Sequence, residues 1–373
     1  MKNFNIVIIG GGVISLCTAL YLSRSGYTVA IIEKNNNVGS GASNPKSNSS
    51  VIHAGIYYKK NSLKSKLCLR GKKLLYNFCS KNNIKFNKCG KIIFVKSQKD
   101  IHMLDKCNLR AKSNGLFDLK FLNKSKLKKI EPNLNAYAGL FSPSSGVLDT
   151  AKYIQTLKNI INKQNVKIFT SFDLLIKKLN KNEWNIINLK NGLEIKTNII
   201  INASGLNSPE ISKQTIKKKE TPKTLPVLGY YLIYKKKNFL NHINYSALEP
   251  GIITERVDAT PMMSGNLLFG PSVEKFYKKK MTSYSPQKIM QRYLPIINNN
   301  YPKISIKNII PYSYGIRPKI KFKGKRYDDF FFKFYKKKNW LDVLGIDSPG
   351  LTASLAIGEY LNNIINRNYE RSV

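Results

Sequence analysis

The chain opens on a short apolar run, "NIVIIG" (5–10), the pattern of a strand covered on both faces. "SLCTALYLSRSG" (15–26) then takes helical spacing and stops at Gly26, a natural end for a helix. "YTVAIIE" (27–33) is the next strand, which completes a β-α-β unit of the usual size, about 30 residues. From about residue 85 the texture changes. "KCGKIIFVKS" (88–97) reads as a strand with one polar face. Helical spacing returns in "YIQTLKNIINKQ" (153–164), followed by strands in "VKIFTS" (166–171) and "NIIINASG" (198–205). Irregular, tyrosine-rich strands such as "VLGYYLIYK" (227–235) and "GNLLFG" (265–270) suit an antiparallel sheet with one wet face. The last stretch, "WLDVLGIDSPGLTASLAIGEYLNNII" (340–365), is strand, Gly/Pro loop and long helix.

The nucleotide-fold texture therefore comes in three separated pieces, and antiparallel texture fills the gaps. The pattern predicts an α/β protein, α+β overall. A discontinuous first domain takes residues 1–84, 145–220 and 315–373, and an inserted substrate domain takes 85–144 and 221–314.

Composition changes this picture little. A chain of 373 residues with 42% hydrophobic content is an ordinary two-domain globular size. No apolar run reaches the roughly 18 residues that cross a bilayer, and the first apolar segment reads as strand, turn and helix rather than a secretory signal. The expected compartment is the cytoplasm, with peripheral attachment to the inner face of the membrane as the alternative. Cys17, Cys68, Cys79, Cys89 and Cys107 form no CxxC pair, so reduced structural thiols are expected and no metal centre is read. The formal charge of +42 would attract nucleic acid, anionic lipid or an acidic substrate. Yet lysine is spread through the whole chain among asparagine and isoleucine, which points to compositional bias. No nucleic-acid motif accompanies it, and no specific nucleic-acid partner is expected.

The strongest local constellation is "GGGVIS" (10–15). Gly10 permits the tight turn and Gly12 lets the backbone approach a pyrophosphate, which sits on the start of the following helix. Ser15 takes the third small position. A lone GxGxxG is weak; here it follows a strand, opens a helix and leads to Glu33 at the spacing of a ribose-binding carboxylate. That carboxylate would repel a 2′-phosphate, which argues against NADP. The motif itself leaves NAD and FAD open.

Further stretches narrow the choice. "GSGASNPKSNSSVIHAGIYY" (39–58), "LKSKLCLRGKKLLYNFC" (63–79), "SPSSGVLDT" (142–150), "INASGLNSPEIS" (201–212), "FGPSVE" (269–274), "YGIRPKI" (314–320) and "GIDSPGLTASLAIGEYL" (345–361) follow one another in a known order. In that order the chain resembles the FAD-dependent L-2-hydroxyglutarate dehydrogenase/oxidase family. That family lies within the D-amino-acid-oxidase-like and glycine-oxidase-like superfamily. The resemblance implies a glutathione-reductase-like Rossmann FAD-binding domain with an inserted antiparallel substrate domain. It implies FAD, oxidation of an L-2-hydroxy acid with L-2-hydroxyglutarate foremost, and oxygen or a quinone as electron acceptor. Oxidation of an amino or imino acid is the alternative within the same superfamily.

By the same resemblance, FAD contacts would come from Gly10, Gly12, Val13, Ile14, Glu33 and Lys34, then Ser43, Asn44, Ser49 and His53. Val166 would lie beside the adenine, Ala203, Ser204 and Gly205 near the nucleotide half, and Gly345, Ser348, Pro349, Gly350, Leu351 and Thr352 over the flavin end.

His53 is the candidate base, since hydroxy-acid oxidation removes a hydroxyl proton that a neutral imidazole can take; direct flavin contact stays open. His102, in an amphipathic helical pattern, and His242, in a polar loop, are poorer candidates. Arg317 is the candidate for gripping the substrate carboxylate, because a guanidinium offers two parallel donors; a structural ion pair is the other reading. Tyr57, Tyr58 and Tyr231 line the pocket or pack the core. Where the family carries a histidine before its "FGP", this chain has Asp258, which leaves the second substrate carboxylate without its usual partner.

Overall fold

A computed structural model describes residues 1–41, 47–216, 221–247, 257–272, 274–275 and 285–369. The chain divides into two units: Met1–Asn44, Ala151–Pro226 and Arg317–Val373 form the first, Pro45–Thr150 and Val227–Ile316 the second.

Five parallel strands form the centre of the first unit, in the order Trp340–Leu344, Glu194–Asn202, Lys2–Ile9, Val29–Ile32 and Val166–Phe169. Ile6–Ile9 and Val29–Ile32 are buried throughout, as unbroken apolar runs must be when both faces are covered. Trp184–Asn188 and Leu174–Lys178 extend the sheet in antiparallel sense, and Phe331–Tyr335 pairs back on Trp340–Leu344. The helices Val13–Arg24 and Gly350–Asn368 pack on each other at close range. Tyr153 Oη ties them, 3.3 Å from Cys17 Sγ and 2.8 Å from Ser354 Oγ.

The second unit carries a sheet in the order Lys223–Tyr234, Leu267–Phe269, Ala259–Pro261, Ile243–Ser246, Lys91–Val95, Ala138–Ser142 and Lys120–Leu122. The tyrosine-rich stretches are antiparallel as their alternation predicts, but Ile243–Ser246 runs parallel to Lys91–Val95. One face of this sheet buries Ile92, Phe94, Ala259 and Phe269 under the helix Pro286–Asn300 and Tyr301. A small sheet of Val51–Ile52, Gly146–Leu148 and Phe86–Asn87 lies in the same unit.

Residues 45–84 and 145–150 thus fall in the second unit, not in the first domain where the sequence pattern placed them. The cause is non-local. Val51 and Ile52 pair with Val147 and Gly146, and Ala54 and Ile56 bury themselves against Ile93, Leu104 and Leu140. Among the described residues no helix is long and apolar enough to cross a membrane.

The helix pair in the first unit leaves no space at Gly358, where a Cβ would meet Cys17 O at 2.6 Å and Tyr21 Cδ2 at 3.0 Å. Gly358→Ala should therefore destabilise the chain by about 1–3 kcal/mol, despite alanine's better helix propensity. Urea unfolding checks this; a midpoint equal to or above that of the unmodified chain would show that the helices have room to part.

Candidate active site

In the first unit, the ends of the parallel strands converge on a glycine turn. Gly10 has φ +100°, and a Cβ there would lie 2.7 Å from Ala203 O and 2.9 Å from Ser204 Cα. The turn after the first strand therefore closes against the 203–204 backbone only with glycine at 10. Gly11, which the motif treats as a free position, is equally constrained. Its Cβ would lie 2.9 Å from Val38 Cγ1 and 3.0 Å from Glu33 Oε2, and its N–H donates to Glu33 Oε2 at 2.6 Å. Gly12 is the N-cap of the helix Val13–Arg24 and brings no side chain to it; the first turn holds no acidic residue. Val13 and Ile14 are buried. Ser15 is fully buried, and its Oγ has no hydrogen-bond partner among the described residues, the local cost of serine at the third small position.

Glu33 is buried at the end of the second strand. Besides Gly11, it accepts from Asn35 N at 2.9 Å and Asn35 Nδ2 at 2.7 Å, both at Oε1. A carboxylate has about four acceptor directions, so among the described residues one at Oε2 stays open for a hydroxyl. Lys34 follows and is exposed. Val166 requires a correction. It pairs with Val29 at the start of its strand, whereas the turn lies at the other end, where Ile9 pairs with Ile32 and Ile32 with Phe169. The chain that reaches Glu33 is 169–172: Phe169 O accepts from Glu33 N at 2.8 Å, and Phe172 N donates to Glu33 O at 3.0 Å. The apolar pattern marks a strand but not which end of it faces the turn.

Ala203, Ser204 and Gly205 follow the Glu194–Asn202 strand as a half-buried turn. Ser204 Oγ donates to Asn202 Oδ1 at 2.8 Å, and Asn202 Nδ2 donates to Ser208 O at 2.8 Å and to Asp342 Oδ1 at 3.2 Å. Asp342, which sequence reasoning missed, is fully buried and also accepts from Ser212 Oγ at 2.6 Å and Trp340 Nε1 at 2.7 Å. Burial pushes its carboxyl above the usual range, and these donors oppose that rise.

The second loop of this unit is tied differently. Gly345 has φ +71°, and Asp347 Oδ2 lies 2.7 Å from Lys319 Nζ. Gly350 N donates to Asp347 O at 2.7 Å, which leads the chain into the helix Gly350–Asn368. Ser348 is exposed, Leu351 half-buried, and Pro349, Gly350 and Thr352 buried; the helix start has no side-chain cap and no acidic residue. Arg317 is half-buried in the strand Ile309–Phe322.

In the second unit, His53 leaves the strand Val51–Ile52 half-buried. A shallow pocket is lined by His53, Ala54, Gly55, Tyr57, Tyr58 and Lys91. Gly55 has φ +108° and packs toward Leu69, while Asn114 Nδ2 donates to Gly55 O at 3.3 Å and Tyr58 O at 2.9 Å, which fixes the loop. Cys68 Sγ donates to His53 O at 3.5 Å; burial pushes its thiol up to about 12, so it stays protonated and able to donate. Lys91 was not anticipated. It is 1% exposed, and its Nζ lies 3.5 Å from His53 Nδ1 and 3.8 Å from the centre of the Tyr245 ring.

The sheet register extends this group. One step beyond the Asn244–Ala259 pair, Tyr245 stands opposite Asp258; one step beyond Leu232–Phe269, Tyr231 stands opposite Gly270, whose N–H donates to Asp258 O at 2.8 Å. Tyr245, buried Asp258 and buried Tyr231 thus share the sheet face that bears Lys91. Ser49 is half-buried in the same unit; Ser43 and Asn44 lie outside the described residues. The other histidines have structural partners. His102 Nδ1 lies 2.8 Å from Lys99 O, and His242 Nδ1 lies 3.1 Å from the fully buried Glu131 carboxylate.

A parallel sheet, a glycine-closed turn at a helix start and a buried acceptor at the second strand define a dinucleotide-binding oxidoreductase. The chain belongs to the FAD dependent oxidoreductase family, whose model matches residues 5–364. It is 29% identical to the mitochondrial L-2-hydroxyglutarate dehydrogenase of Arabidopsis thaliana, over 97% of this chain and 83% of that one. It is 30% identical to the mitochondrial L-2-hydroxyglutarate dehydrogenase of Caenorhabditis briggsae, over 78% and 69%. Among solved structures it is similar to L-alpha-glycerophosphate oxidase from Mycoplasma pneumoniae with FAD bound, at a TM-score of 0.87, 24% identity and coverage of 99% and 96%. Glycine oxidase from Geobacillus kaustophilus follows at a TM-score of 0.80 and 16% identity, with coverage of 99% and 96%. The cofactor is FAD, and the residues present fit it. Gly10 and Gly11 close the turn where any Cβ would strike the 203–204 backbone, Val38 or Glu33, the helix start is free of acidic groups, and Glu33 retains an acceptor direction.

Asp342 gives a pH signature to the 202–208 turn. A carboxyl whose folded pKa is raised favours folding below its unfolded pKa of about 4 and loses that contribution as pH rises through the folded value. Relative to Asp342→Asn, the unmodified chain should therefore lose stability as pH rises above about 4 and then level off. Urea unfolding at a series of pH values reads this directly; a difference that grows in favour of the unmodified chain with rising pH would contradict it.

Proposed function

We propose that this chain, with FAD bound, oxidises L-2-hydroxyglutarate to 2-oxoglutarate. Support for the substrate comes from the names of the relatives in Arabidopsis thaliana and Caenorhabditis briggsae. The single observation that carries the chemistry is the His53 pocket: an imidazole beside a buried cation, with tyrosines around it.

Oxidation of the C2 alcohol removes a hydride with its electron pair from carbon and a proton from the hydroxyl, leaving the carbonyl. FAD, when bound, supplies the acceptor for the hydride. Gly10, Gly12, Val13, Ile14 and Glu33 would hold its nucleotide half, with Ala203, Ser204 and Gly205 beside them. Gly345 and Ser348–Thr352 would hold the flavin end. His53 takes the hydroxyl proton, a task suited to an imidazole near neutral pH. Arg317 grips one carboxylate through two parallel donors. Asp258 is buried on the sheet face of Tyr231 and Tyr245, and as a carboxylate it would repel either carboxylate of the substrate placed beside it. Electrons then leave to oxygen or a quinone. The protein works in the cytoplasm, with peripheral attachment to the membrane as the route to a quinone.

Anaerobic titration of the yellow protein tests the reading. L-2-hydroxyglutarate should bleach the flavin, and glycine, L-proline and D-2-hydroxyglutarate should not. Bleaching by the amines alone would replace the proposal with amine oxidation. His53→Asn should slow the bleaching by about 10²–10⁴-fold, the usual range for a lost proton acceptor; a rate within twofold of the unmodified chain would remove His53 from that role.

A further inference from the structure

Lys91 is the first residue of the strand Lys91–Val95, and neighbouring strands on both sides enclose it. At 1% exposure it is an unusual place for lysine, which elsewhere in this chain is mostly at the surface. The structure provides for its charge. The Tyr245 ring centre lies 3.8 Å from Nζ and the Tyr57 ring centre 6.0 Å, so aromatic faces stand in for part of the lost water. On its third side stands His53 Nδ1, at 3.5 Å.

We propose that Lys91 is a positioning residue for His53, holding the imidazole in place and keeping it unprotonated, ready to receive a proton. This rests on the reading of His53 as the base. At 3.5 Å the pair is at the limit of a hydrogen bond, so its effect is chiefly Coulombic. An ammonium beside the ring penalises the imidazolium whichever nitrogen carries the proton of the neutral form. The consequence is twofold. The resting imidazole stays neutral at pH values where an exposed one would already be half charged, and a proton taken from substrate is expelled to solvent rather than retained.

The other titratable groups around the pair do not supply this charge. Tyr57, Tyr58 and Tyr245 are neutral phenols near pH 7. Cys68, on the helix Leu63–Lys81, is held as a thiol by burial, and so is Cys89, which burial pushes up to about 11. Lys72, on the same helix as Cys68, adds a second positive charge to this side of the unit. Asp258 lies on the same sheet face, opposite Tyr245 in the register.

The chain has three histidines, so the His53 resonance is identified by its loss in a single substitution, His53→Asn. In the FAD-loaded protein, NMR titration should find His53 changing charge below the ordinary imidazole value of about 6.5. In Lys91→Met the His53 titration should move up by about one pH unit, a tenfold change in protonation, and Lys91→Arg should hold it near its original place. The acidic limb of kcat/KM for L-2-hydroxyglutarate should follow the same displacement. A His53 titration at or above about 6.5 in the unmodified protein overturns the proposal, as does an unmoved titration in a Lys91→Met protein that retains FAD; the first result needs no variant to fold. If the resonance moves but the acidic limb stays, Lys91 keeps its effect on the ring and it is the base reading of His53 that fails.

Discussion

The hydrogen bond from Gly11 N–H to the Glu33 carboxylate, 2.6 Å long and buried, is the constraint on which the nucleotide region depends. It ties the glycine turn after the first strand to the end of the second. Neither partner could change freely. A side chain at position 11 would strike the carboxylate itself, and a side chain at position 10 would strike the 203–204 backbone. Two glycines and a glutamate therefore bring three parallel strands to a common point and leave a helix start open above it. Charged hydrogen bonds of this kind are stronger than neutral ones, and burial raises the cost of losing either partner.

Around that point the first unit uses a second buried carboxylate for a related purpose. Asp342 does not face the turn but holds Asn202 and Ser212, and through Asn202 it fixes Ser204. The loop after the Trp340–Leu344 strand is fixed by a third, through Asp347 and Lys319. In a chain with 63 basic residues and only 21 acidic ones, three of the acids are committed to shaping loops near one sheet edge. The second unit reverses the signs: a buried lysine, Lys91, stands beside the imidazole, with the Tyr245 ring against its ammonium. Electrostatics set on rigid strands in this way cost no reorganisation when charge moves during a reaction.

Much of this was legible in the sequence. The β-α-β unit, the final strand and helix, and the tyrosine-rich sheet follow from periodicity, because burial on one or two faces leaves a direct imprint on local pattern. Gly10, Gly12 and Glu33 were legible because the spacing of the motif is local too. What escaped notice depends on register and on contacts distant in sequence. Residues 45–84 belong with the second unit because Val51 and Ile52 find partners about a hundred residues later. Val166 was carried over by resemblance, and only the pairing of its strand shows that it stands at the end away from the turn. Lys91 was lost among many lysines, and only the pairing of its strand on both sides shows that it is buried. One signal was present: "CGKIIFV" (89–95) places its lysine against an unbroken apolar run, where a surface residue is not expected.

The account centres on removal of hydrogen from C2 of an L-2-hydroxy acid by this chain with FAD bound. The most direct measurement is rapid anaerobic mixing of the yellow protein with L-2-hydroxyglutarate carrying either hydrogen or deuterium at C2, with the loss of flavin colour followed in time. The account predicts that both bleach the flavin completely and that the deuterated acid does so distinctly more slowly. Equal rates, with the hydroxy acid binding but leaving the colour unchanged, would contradict it.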